Sequence, residues 1–119
     1  MKRSICALVA AVVLSGCAAQ PEKPVMQAAQ YRAIALSSTL SEQCAAAGMM
    51  DADLAAASSR MLKERMAEFD YDPSRLQKER QQAAIEIQQQ GTLTRPACDA
   101  LAYEVMRLQA VRGQAGDAQ

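Results

Sequence analysis

Four cysteines, a few close carboxylate pairs and scattered serines are the side chains of this 119-residue chain with the capacity for covalent or acid–base chemistry. The chain has no histidine and no tryptophan. Without an imidazole, Ser37, Ser38, Ser58 and Ser59 lack the usual general base, and a triad or a histidine-bearing metal set cannot be built. Lys23, Lys63 and Lys78 stand in charged or linker surroundings, unlike the buried lysine that a Ser–Lys nucleophile requires. Of the carboxylate pairs Asp51/Asp53 and Asp70/Asp72, the residues Asp51, Asp53 and Asp72 stand where helix caps belong, and no calcium-loop pattern surrounds them. A glycine-rich phosphate loop is missing, and 13 basic residues balance 13 acidic ones, so no strong field points to nucleic acid. These features predict a protein that is not an enzyme, with no catalytic residue, no metal or cofactor, no nucleic-acid partner and no small-molecule substrate. The cysteines carry the remaining chemistry.

Lys2 and Arg3 precede the apolar run from Ile5 to Leu14, which is too short to cross about 30 Å of hydrocarbon but fits the h-region of a signal peptide. The run ends in Leu14-Ser15-Gly16-Cys17, which resembles the lipobox of bacterial lipoproteins. That resemblance implies removal of residues 1–16 and acylation of Cys17, with three fatty chains as the anchor. Each buried methylene contributes about 0.8 kcal/mol, so three chains hold a protein where one would be marginal. Ala18 rather than aspartate follows the cysteine, which in enterobacterial lipoproteins implies the outer membrane. Residues 17–24, with Pro21, Glu22, Lys23 and Pro24, read as a lipidated tether.

With Cys6 lost in the signal peptide and Cys17 lipidated, Cys44 and Cys98 remain. In an oxidising periplasm such a pair is expected to form one disulfide, and no Cys-x-x-Cys spacing suggests a redox site instead. The loop closed would contribute about 4 kcal/mol in the chain-entropy model. A small core with one phenylalanine and three tyrosines needs that help.

These residues must be positioned by helices, because apolar side chains recur at spacings of three and four and strand-like alternation is missing. A first helix is predicted from about Val25 to Ala46, with Met26, Ala29, Ala33, Leu36, Leu40, Cys44 and Ala47 on one apolar stripe and Gly48 past its end. Asp51 or Asp53 caps a second, with Leu54, Ser58, Met61, Leu62, Met66 and Phe69 inward. Asp72-Pro73 starts a third, with Leu76, Ala83, Ala84 and Ile87 inward and Gly91 as its stop. Thr94 caps a fourth, with Cys98, Leu101, Val105 and Leu108 on one face and Gly113 ending it. The fold expected is all-α: a small four-helix bundle over residues 25–113 with one disulfide, behind a signal peptide and short tether, followed by a flexible tail at 114–119.

Methionine suits adaptable grooves that receive amphipathic helices as well as irregular cores. Met49 and Met50 fall between helices, and with Met61, Leu62, Met66 and Phe69 they form the predicted partner-binding set.

The layout resembles the pilotins of type II secretion systems, of the PulS/OutS type. The resemblance rests on Leu14 to Cys17, on Ser41-Glu42-Gln43-Cys44 closing the first helix, on Thr94-Arg95-Pro96-Ala97-Cys98 opening the last, and on Phe69-Asp70-Tyr71-Asp72 before the third. After the first cysteine stands Ala45-Ala46-Ala47-Gly48, where the family often has Leu-Pro. What the resemblance implies is an adaptor that binds a secretin C-terminal helix in an interhelical groove and brings it to the periplasmic face of the outer membrane. The alternative expectation is an inhibitor or immunity-type lipoprotein that blocks an effector or a periplasmic enzyme.

Overall fold

The structure is a computed structural model that describes residues 22–117, with side chains to residue 113. The predicted signal peptide, Cys17, the start of the tether and the last two residues lie outside the described residues. Four helices follow one another: α1 (Ala28–Ala46), α2 (Ala52–Met66), α3 (Pro73–Gln90) and α4 (Arg95–Asp117). Among the described residues there is no strand beyond one isolated bridge, so the all-α bundle expected from the spacing is the fold.

Three helix starts and two helix ends form where the punctuation placed them. The Asp51 carboxylate accepts the Asp53 amide at 2.7 Å, the Asp72 carboxylate accepts the Ser74 amide at 2.9 Å, and the Thr94 hydroxyl accepts the Ala97 amide at 3.3 Å. Each satisfies a donor that the first helical turn leaves unpaired. Gly48 and Gly91 close α1 and α3 at φ of 74° and 63°, a left-handed conformation that costs glycine little. The next amides return to the helix, Met49 N to Cys44 O at 2.8 Å and Thr92 N to Ile87 O at 3.0 Å.

Two boundaries differ from expectation. Helix α1 begins at Ala28 rather than Val25, because Pro24 to Met26 pair with the α2–α3 loop: Asp70 N donates to Pro24 O and Met26 N to Asp70 O, both at 2.9 Å. Helix α4 does not stop at Gly113 but continues to Asp117. One glycine inside a helix costs about 1 kcal/mol, too little to end a long one, and Arg112 beside it pairs with Glu64 of α2. The backbone is therefore helical through residues 114–117, where a tail was expected.

Among the described residues, α1 is the one helix that packs against all three others. That central position changes which of its residues are buried. Tyr31, Ile34, Ala35, Thr39, Ser41 and Cys44 are buried, whereas Ala29, Ala33 and Ala47 of the expected stripe are exposed and Leu36 and Leu40 are half-buried. Leu108 of α4 is also exposed, since α4 touches the bundle mainly through its first half. The core has two parts. One surrounds Cys44 and Cys98 with Met50, Ala57 and Val105; the other surrounds Tyr31 with Met26, Ile34 and Leu76.

Cys44 and Cys98 are bonded, with Cα atoms 5.7 Å apart, and neither is exposed to solvent. The bond joins the last turn of α1 to the first turn of α4 across 54 residues, as expected. The Arg32–Glu86 and Glu42–Arg80 ion pairs link α1 to α3 at two further points.

Candidate functional site

The disulfide draws the start of α4 against the end of α1, while the α3–α4 turn passes beside them. Between these elements lies a cleft of about 290 Å³. Leu36 and Leu40 of α1, Ile87 of α3 and Leu101 of α4 supply its apolar surface. Ser37, Gln90 and Thr92 add hydrogen-bonding groups, and Arg32 and Glu86 mark one side. Leu36, Leu40 and Leu101 are only half-buried although they belong to the bundle's own apolar faces. Apolar surface left partly uncovered between three helices suits the side chains of an entering amphipathic segment.

The ion pair beside the cleft is bidentate. Arg32 donates to both Glu86 carboxylate oxygens, at 3.1 and 2.8 Å. These hydrogen bonds hold the Glu86 carboxyl below its ordinary 4.5, outweighing the opposing effect of burial, and raise Arg32 above its ordinary value. Both groups are thus charged at neutral pH, giving the cleft a fixed polar edge. The arrangement offers shape, apolar surface and charge. Among the described residues no group of three or more cysteine, aspartate or glutamate side chains is placed to hold a metal ion.

The structure does not bring the six residues of the predicted partner-binding set into one groove. Met50 is buried and Met49 and Met61 pack around the disulfide. Leu62, Met66 and Phe69 instead pack around Tyr31, at the other core, with the Arg65 guanidinium 5.2 Å from the Phe69 ring centre. The cleft residues were visible in the sequence as apolar positions of three different helices. Only the packing of those helices shows that they share a surface.

Residues 1–18 match the family described as prokaryotic membrane lipoprotein lipid attachment site, and the match encloses Leu14-Ser15-Gly16-Cys17. No curated protein and no solved structure matches the chain. The described helices thus stand behind a bacterial lipoprotein signal, which indicates a lipoprotein anchored to a membrane through its N-terminal cysteine.

Proposed function

We propose that the chain is a pilotin-like adaptor of the outer membrane, acylated on Cys17, whose helical domain lies on the periplasmic face. It works by binding and not by catalysis. The partner is an amphipathic helix of an envelope protein, such as the C-terminal helix of a secretin subunit, and the acyl chains deliver the complex to the outer membrane. The observation that supports this reading is the half-covered apolar cleft of Leu36, Leu40, Ile87 and Leu101 beside the Arg32–Glu86 pair. Ala18 after the lipid-bearing cysteine supports the outer rather than the inner membrane.

Two leucine-sized side chains entering that cleft would contribute about 2 kcal/mol each, enough to make it the centre of a binding site. The test is co-purification and membrane fractionation. Cys17→Ser should retain the partner helix but leave the partner at the inner membrane, whereas Leu36→Ala should lose the partner with the anchor intact. Delivery that persists in Cys17→Ser would refute the adaptor reading.

A further inference from the structure

Residues 24–26 are laid against the domain before the chain enters α1. Besides the two backbone hydrogen bonds between residues 24–26 and Asp70, the Met26 side chain is buried, 2 % exposed, against Tyr31, Ile34 and Leu76. The chain is therefore fixed to the domain from about Pro24 onward. From Cys17 to Pro24 the chain reaches about 25 Å at most. The α2–α3 loop is consequently held within that distance of the acylated cysteine. Cys44, near the far end of α1, lies about 24 Å from the start of that helix, so the disulfide marks the opposite end of the domain.

The tethered end carries apolar surface. Val25 is 64 % exposed, and with the half-buried Phe69 and Tyr71 it lines an open cleft of about 490 Å³ whose charged side chains are Glu22, Lys23 and Asp70. Two aromatic rings beside an exposed valine suit the boundary between lipid headgroups and acyl chains, where the attraction is apolar because Lys23 is outnumbered by Glu22 and Asp70. We infer that Val25, Phe69 and Tyr71 form a bilayer-contact surface, covered by the phospholipid that holds the protein's own acyl chains. The short tether makes this contact intramolecular in effect. At an effective concentration in the millimolar range, a surface too weak to bind vesicles alone becomes occupied. The Leu36–Leu40 cleft, about 12–18 Å farther along α1, stays clear of the bilayer and open to a partner.

This inference rests on acylation of Cys17 and is tested on the full lipidated protein in vesicles of brominated phosphatidylethanolamine and phosphatidylglycerol. Because the chain has no tryptophan, single substitutions report one position each. Val25→Trp and Tyr71→Trp should show blue-shifted emission that the brominated chains quench. Tyr103→Trp, at a residue 65 % exposed on α4, should show neither. Val25 is exposed enough to accept tryptophan should Tyr71→Trp disturb the fold. In protein whose mass confirms the acyl chains, emission at Val25 quenched no more than at Tyr103 overturns the contact surface and leaves the lipid anchor standing. A blue shift at Val25 that needs a second protein would also overturn it, by assigning the surface to that protein. A mass without acyl chains removes the anchor itself, and the contact surface with it.

Discussion

The Tyr31 hydroxyl in α1 accepts the backbone amide of Asp72, the residue that caps α3, at 2.7 Å across 41 positions of sequence. Its ring is buried, 3 % exposed, with the Arg75 guanidinium 4.4 Å from the ring centre. One side chain thus fixes the start of α3 against α1, and does so beside the strap formed by residues 24–26. Tyr31→Phe keeps the packing and removes the acceptor, which should cost about 1 kcal/mol in urea unfolding. An unchanged midpoint would show that the amide finds water at no cost.

The disulfide should matter more. Replacing both Cys44 and Cys98 with alanine, or reducing the bond, releases a loop of 54 residues and should lower stability by about 4 kcal/mol, the magnitude expected for closing a loop of that size. Thermal melting with and without reductant measures this. In the non-reduced folded domain, thiol reagents should find neither residue, since both sulfurs are held in the bond.

The Arg32–Glu86 pair predicts a pH dependence. Hydrogen bonds from Arg32 lower the Glu86 carboxyl in the folded state. A depressed folded value stabilises the protein above the ordinary glutamate range, and that contribution fades as pH falls through the folded value. The difference in urea midpoint between the wild type and Glu86→Gln should therefore be present at pH 7 and shrink below about pH 4. A difference that stays constant across that range would mean that the pair does not act through the charge of Glu86.

Binding through the cleft predicts an asymmetry between apolar residues of similar kind. Leu36→Ala should weaken capture of the partner helix by about tenfold or more. Met106→Ala, at an exposed position on α4, should leave capture unchanged. Equal losses at both positions would mean that the cleft is not the centre of the binding surface.

Much of the fold was legible because its signals are local. Asp51, Asp72-Pro73 and Thr94 announce helix starts through their own side chains, and Gly48 and Gly91 announce stops through their own backbone. What escaped reading depends on distant parts of the chain. Val25 and Met26 look like the first turn of α1 until Asp70 is known to pair with them. Ala29 and Ala33 continue an apolar stripe, yet the helices around α1 cover Tyr31, Ile34 and Ala35 instead. The methionines followed the same logic. Met49 and Met61 face the disulfide and Met66 faces the Tyr31 cluster, so residues close in sequence belong to different cores. The cleft itself draws on α1, α3 and α4 at once, a convergence set by tertiary packing.

Delivery of a partner and contact with the bilayer both require a lipid-bearing Cys17 at the head of the mature chain. Intact mass measurement of the protein extracted from bacterial membranes tests this directly. A product that begins at Cys17 and carries the mass of its acyl chains is the predicted result. A chain that retains residues 1–16, or that begins with an unmodified residue, would contradict it.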